Sequence, residues 1–437
     1  DDGYATQLST GIKFNDRDAT GVRADLRFLP TDALTVDLVA EYIDDRNTNF
    51  LNLVDANDDR VINNRLVQGA LVGVFTGSKA SLKPGNEAST RAYTLNVKWD
   101  INDALTLTSI TGYRDTNHEF LIDSGGELPR VTTLRGFTPL ANIGNHEQTS
   151  QEFKLNGTAL SDTLNWVAGA YWLSEDNTTD FANANTTLPA NVFSVAADRT
   201  MKNGLDTYAF YAQGDWQFAD AWTATLGLRY TDEKKDFSID RNPGAAGAAL
   251  STAAIAAAGI PLELKEQVWT PRVALDYALN EDVSFFVSAT RGFKSGGWPA
   301  RATANNAFIP FAPEKVWSYE AGMRSQLFDN TLRLNVTGFY SITSDVQIPA
   351  RIDFNGVQIS TTTNPADLKN TGVEIDAEWV PTENFTLVAG IGVQDAKYTD
   401  ITANVLTQAS ICRANPAGLF QGAPACNANF VDQFGNI

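Results

Sequence analysis

The chain has 437 residues, 43% hydrophobic and 19% charged, with a net charge of −19. It is too apolar for a disordered chain and too acidic for a nucleic-acid surface, and no nucleic-acid partner is expected. No run of 18 apolar residues occurs, so no transmembrane helix is expected. With only His118, His146, Cys412 and Cys426 available, a metal centre, a cysteine nucleophile and a resident cofactor are not expected. The chain opens at Asp1-Asp2-Gly3-Tyr4 without Met or a signal peptide, already inside a patterned segment.

Alternation with a period of two dominates from there. Val22, Ala24, Leu26 and Phe28 oppose Arg23, Asp25 and Arg27. In Trp222 to Tyr230, Trp222, Ala224, Leu226, Leu228 and Tyr230 oppose Thr223, Thr225, Gly227 and Arg229. Leu332, Leu334 and Val336 oppose Arg333, Asn335 and Thr337, and Val373, Ile375, Ala377 and Trp379 oppose Glu374, Asp376 and Glu378. Successive strand side chains point to opposite faces, so each segment has one apolar and one polar side. Fourteen strands are predicted, near 19–30, 34–45, 90–100, 105–120, 148–160, 164–175, 205–218, 222–232, 267–279, 283–294, 314–328, 331–346, 367–380 and 385–399, with a partial strand at the start.

Short turns such as Asn102-Asp103-Ala104 and Ala219-Asp220-Ala221 alternate with long connections near 46–89, 124–147, 176–204, 240–266 and 299–313. Aromatic residues gather at both strand ends, with Trp99, Trp216, Trp222, Tyr277 and Trp379 near the short turns and Tyr42, Tyr113, Trp172, Tyr230 and Tyr340 near the long ones. Eight steps of about 3.3 Å give a strand about 26 Å long, or about 20 Å of height at the usual tilt. The pattern predicts an all-β fold, a transmembrane antiparallel up-and-down barrel in the bacterial outer membrane, in contact with outer-membrane lipid. Arg229, Glu320, Arg324, Glu374, Asp376 and Glu378 are then lumen-facing charges. The Glu374/Asp376/Glu378 row reads as a metal or plug contact, or as a solvated wall paired with Arg on neighbouring strands.

Three phrases carry a family resemblance. They are Phe285-Phe286-Val287-Ser288-Ala289-Thr290-Arg291-Gly292-Phe293-Lys294-Ser295-Gly296-Gly297-Trp298, then Phe311-Ala312-Pro313-Glu314-Lys315-Val316-Trp317-Ser318-Tyr319-Glu320-Ala321-Gly322, then Lys369-Asn370-Thr371-Gly372-Val373-Glu374-Ile375-Asp376-Ala377. Together they resemble the barrel of TonB-dependent outer-membrane receptors, across roughly residues 205–400. The resemblance implies a 22-stranded barrel around an N-terminal plug, with residues 1–437 as about 14–15 of those strands and the plug and last strands outside them. It also implies energised uptake of a scarce nutrient, a ferric siderophore or other metal chelate first, with TonB as a partner acting through the plug. The mechanism would be binding rather than catalysis. A passive porin is the alternative, with a lipid hydrolase using His118 or His146 near Ser124 as the third.

Candidate ligand contacts are Arg291 and Lys294, which suit an anionic chelate, and Trp298, which suits a stacked ring. The competing reading is structural: Gly292, Gly296 and Gly297 permit a bend, and Arg291 faces a lumen carboxylate. Cys412 and Cys426 suit a loop disulfide. Asp55–Asp59 begins like a calcium loop, but Arg60 and Leu66 stand where Gly and Glu are needed. The Ala-rich run 244–259 predicts a short helix in a loop.

Overall fold

The computed structural model describes residues 3, 5–6, 13–14, 16–48, 75, 77–82, 85–123, 139–187, 192–300, 302, 304–354 and 357–401. A small antiparallel pair, β1 (Ala5–Thr6) and β2 (Lys13–Phe14), comes first. The main body is one sheet of 14 strands, all antiparallel. In chain order these are β3 (Asp18–Thr31), β4 (Leu34–Asn47), β5 (Gly85–Asn102), β6 (Leu105–Asp123), β7 (Pro139–Ala159), β8 (Leu164–Thr187) and β9 (Val192–Ala219). They continue with β10 (Trp222–Arg241), β11 (Glu263–Ala278), β12 (Val283–Lys294), β13 (Glu314–Leu327) and β14 (Leu332–Ser344). A separate hairpin of β15 (Ile348–Phe354) and β16 (Val357–Thr363) precedes β17 (Asp367–Thr382) and β18 (Phe385–Thr399). Every main-sheet strand pairs with its predecessor in the sheet, so the topology is an unbroken meander.

The register explains the two faces. Trp222 faces Tyr277 across β10 and β11, and Tyr230 faces Trp269 eight residues higher. Their ring centroids lie 4.5 and 4.8 Å apart. Between these aromatic pairs stand Ala224 with Leu275, Leu226 with Val273, and Leu228 with Pro271, an uninterrupted apolar band. On the other face Arg229 pairs with Thr270 and Tyr211, and Thr225 with Asp215. Leu226 is 63% exposed, which a water-soluble sheet would not tolerate across a whole face.

The short turns lie at one end of the sheet and most long connections at the other. Asx contacts close several short turns: Asn102 Oδ1 accepts from the Ala104 amide, and Asn280 Oδ1 from the Asp282 and Val283 amides. The turn at 328–331 places Phe328, Asp329 and Asn330 at positive φ.

Within the expected loop at 176–204, residues 176–187 and 192–204 are instead paired strand. β8 and β9 have 24 and 28 residues and stay in register up to Thr187 with Val192, apart from a bulge at Asn183/Ala184. The alternation that reveals a membrane strand fades here because both sides of the extension are covered by loops or water. Arms of loop pack on each side of this tall hairpin. On the polar-face side, Met201, Phe237 and Ile239 carry a cluster with Leu250, Ile255, Ile260, Ala307 and Phe308 from the 242–262 and 295–313 connections. On the other side, Phe75 packs with Leu121, Ala141, Ala182 and Ala184. The Ala-rich run does hold a short helix, α1 (Thr252–Ala257), capped by Ser251.

A buried charge network fastens the outer arm. Lys79, 3% exposed, reaches Asp180 at 2.5 Å and Asp198 at 2.9 Å. The Asn242 side-chain amide donates to the same two carboxylates at 2.6 and 2.7 Å. Burial alone would raise Asp180, but the hydrogen bonds from Lys79, Asn242 and Ser78 prevail and hold its carboxyl below the usual carboxylate range.

Candidate functional site

The polar face is built from cross-strand sets. Mid-strand, Arg229 lies 5.6 Å from the ring centroids of both Tyr171 and Tyr211, and Tyr211 donates to Glu152 at 2.6 Å. Arg324 pairs with Asp276 at 3.0 Å and covers the Phe286 ring at 4.2 Å. All six charges expected on the lumen side, Arg229, Glu320, Arg324, Glu374, Asp376 and Glu378, share this face by register. Within the acidic row, Glu378 pairs with Arg333 at 2.6 Å, whereas Glu374 and Asp376 stand across from Thr337 and Asn335. The Asp376–Glu378 stretch borders a cavity of about 430 Å³ with Arg333, Asn335 and Gly390.

Glycines on this face make room for rings. Phe286 lies across Gly322 and Phe339 across Gly372, so that a Cβ on either glycine would meet a ring carbon at 2.6 or 2.4 Å. This gives a packing reason for the glycines of two of the quoted phrases.

At the long-loop end the 295–313 connection folds over the polar face. Lys235 donates to the Gly296 carbonyl at 3.0 Å and pairs with Glu233 at 3.2 Å. Gln347 donates to the carbonyls of Ser295 and Ala312, and Asn364 to those of Ala312 and Asp345. These bonds hold Phe311, Ala312 and Pro313 over a cavity of about 230 Å³ bordered also by Glu233, Lys235 and Glu266. Lys315 reaches Glu266 at 3.4 Å, and Lys294 reaches Glu314 at 3.6 Å. Lys235, Glu266, Gln347 and Asn364 were not singled out from the sequence. The Asn364-Pro365 step was the one turn signal that marked any of them.

The three candidate contacts do not converge. Lys294, 63% exposed at its side chain, is on the polar face beside Glu314. Trp298 belongs to the loop cluster: its ring stacks on Phe237 at 5.2 Å, and its Nε1 donates to the Pro261 carbonyl. Arg291 is across from Trp317 on the apolar face, not opposite a lumen carboxylate as the sequence suggested. The cause is local. Pro271 has no N–H to donate, and pairing between β11 and β12 reaches only to Arg272 and Thr290. Arg291 sits beyond that point and donates to the Trp269 carbonyl at 3.4 Å.

His118 and His146 both face the polar side, away from the membrane rim a lipid hydrolase would use. His118 contacts the Asn142 amide at 2.6 Å, and His146 contacts Glu175 at 3.0 Å. Burial, with a smaller contribution from His146, lowers His118, leaving it neutral at pH 7. Ser124, the Asp55–Asp59 run, Cys412 and Cys426 lie outside the described residues, as does the expected disulfide. Among the described residues no helix is long and apolar enough to cross a membrane, and no group of three or more His, Cys, Asp or Glu is placed to hold a metal ion.

A meander with an apolar face between two aromatic rows and a polar face roofed by loops defines an outer-membrane β-barrel wall. The family model described as TonB dependent receptor-like, beta-barrel matches residues 5–417, and the chain belongs to that family. Its members are outer-membrane receptors and transporters, not enzymes. The pesticin receptor of Yersinia enterocolitica is 24% identical over 323 residues, 72% of this chain and 43% of the relative. The ferric yersiniabactin uptake receptor FyuA from Yersinia pestis superposes with a TM-score of 0.70 at 19% identity, over 92% of this chain and 55% of that one. The siderophore receptor PiuA from Acinetobacter baumannii gives a TM-score of 0.63 at 14% identity, over 89% of this chain and 58% of that one. The chain thus spans about half the length of these relatives. In outer-membrane barrel walls in general, an apolar face of this kind meets lipid, a polar face lines the lumen and the long loops are extracellular.

Proposed function

We propose that the protein carrying this barrel is an energised receptor that captures an iron chelate outside the cell and passes it through the lumen. TonB is the partner, acting through a plug segment of the kind the family carries. The observation that carries this reading is the barrel itself: its sheet matches the walls of FyuA and PiuA, whose names specify ferric yersiniabactin uptake and a siderophore receptor. The polar mouth supports it. Lys235 and Lys294 gather there with Glu233 and Glu314 around the loop 295–313, and Lys315, rooted on the opposite face, turns its amine to Glu266. Cations on a lumen-facing rim suit an anionic chelate, and the carboxylates keep the unliganded site balanced. Lys294 remains a proposed ligand contact. Trp298 is proposed to act by packing the loop that carries the contacts.

The test is the amount of this protein in outer-membrane fractions of source cells grown with and without an iron chelator. A several-fold rise under iron starvation is the expected result. An unchanged amount would overturn the iron assignment and move the search to copper, sugars, cobalamin and aromatic compounds.

A further inference from the structure

Arg291 has no use in a lumen-facing mechanism, yet it belongs to an ordered pattern. Cross-strand pairing links Arg291 to Trp317, Trp317 to Ile342, Ile342 to Lys369, and Lys369 to Lys397, in one row over five strands of the lipid-facing side. The row beneath holds Ala289, Tyr319, Tyr340, Thr371 and Asp395. Trp317 stacks on Tyr319 at 6.0 Å, and Tyr319 on Tyr340 at 6.4 Å. An aromatic ladder at the membrane boundary is therefore flanked by Arg291 on one side and by two lysines on the other.

These cations are poorly matched within the protein. Among the described residues, Lys369 has no acidic partner and is exposed. Lys397 pairs with Asp395, but its side chain is 71% exposed. Arg291 meets only a carbonyl, and its Nε is buried without a hydrogen-bond partner. Lys369 and Lys397 stand directly across from each other, a repulsive pair unless an anion lies between them. Lys315, one row higher, is turned to Glu266 and is not part of the set. Farther along the sheet on the same face, beyond β9 to β11, strands β6, β7 and β8 carry Asp115, Glu147 and Asp176 in register, so the basic row does not run round the whole sheet.

We propose that Arg291, Lys369 and Lys397, with the Trp317–Tyr319–Tyr340 ladder, bind a phosphorylated glycolipid headgroup of the outer leaflet. The cations would take its phosphates, and the ladder would take a sugar face. Three strand spacings, about 14 Å, separate Arg291 from Lys369, which suits a headgroup with more than one phosphate. The proposal needs the outer-membrane location but not the iron reading.

The test titrates the full-length protein in non-ionic detergent with a diphosphorylated glycolipid, its dephosphorylated form and inorganic phosphate, read by native mass spectrometry. The diphosphorylated lipid should bind the unaltered protein, with the dephosphorylated form much weaker. The triple variant Arg291→Gln, Lys369→Gln, Lys397→Gln should bind the phosphorylated lipid about a hundredfold more weakly, each cation near an anionic surface contributing about fivefold. Lys98→Gln, on the lumen face, should bind as the unaltered protein does. Equal binding of both lipid forms by the unaltered protein would overturn the site whether or not the triple variant folds. So would undiminished binding by a folded triple variant, or displacement of the lipid by inorganic phosphate at similar concentration, which would mark a free-anion site.

Discussion

Gly372 and Gly322 sit beneath the rings of Phe339 and Phe286, with carbonyl oxygens of Val393 and Val336 on the other side at 2.6 Å from any added Cβ. Gly372→Ala must therefore push a ring or a strand, and a loss of about 1–3 kcal/mol is expected from urea unfolding in lipid vesicles. Deleting the Lys79 amine should be costlier, because Asp198, 4% exposed, would keep a buried charge without its cation. Lys79→Met is expected to cost about 3–5 kcal/mol, seen as faster hydrogen exchange in 180–199 than in the membrane part of β8 and β9. The pH dependence follows from Asp180, whose pKa is lowered on folding. Its contribution is complete above the ordinary carboxylate value and is lost as pH falls through the lowered one. Exchange in 180–199, corrected for its intrinsic rate, should stay constant from pH 7 to 5 and rise only in more acidic solution.

At the scale of elements, the membrane strands were legible because lipid and lumen demand opposite residues at successive positions. Trp222 to Tyr230 and Leu332 to Val336 read as strands for that reason, and both are. The upper half of β8 and β9 was not legible. Asp176 to Thr187 has polar residues on both parities, and its pairing depends on arms that lie far away in sequence, Phe75 to Leu82 and 242–262. The side of Arg291 was present in the sequence: counting by twos from Phe285 places it with Val287 and Ala289. What hid it was the glycine-rich stretch that follows, which looked like a ligand loop. The mouth residues Lys235 and Gln347 had no local signal, since their partners Gly296 and Ala312 are brought near by loop closure. Phe308→Ala should loosen that closure. Phe308 is fully buried among Phe237, Ile239 and Ile255. Its loss should cost about 3–5 kcal/mol of local stability, measured as protease cleavage within 295–313 while the membrane strands stay intact.

For the whole molecule, the assignment of faces makes a paired expectation. Leu226, midway between the aromatic rows, stands exposed on the apolar face, and Leu226→Arg should destabilise the folded state in bilayers by about 2–4 kcal/mol. Thr337→Arg, on the lumen face across from Glu374, should be near neutral. A larger penalty at Thr337 than at Leu226 would invert the wall. On the proposed reading the protein captures its cargo before importing it. The most direct measurement is therefore binding of a panel of ferric chelates to the full-length purified protein, followed by quenching of tryptophan fluorescence. Saturable binding of at least one ferric chelate at submicromolar concentration, with the iron-free chelator weaker, is the expected result. Saturable binding of cobalamin, copper or an oligosaccharide, with every ferric chelate inert, would contradict it.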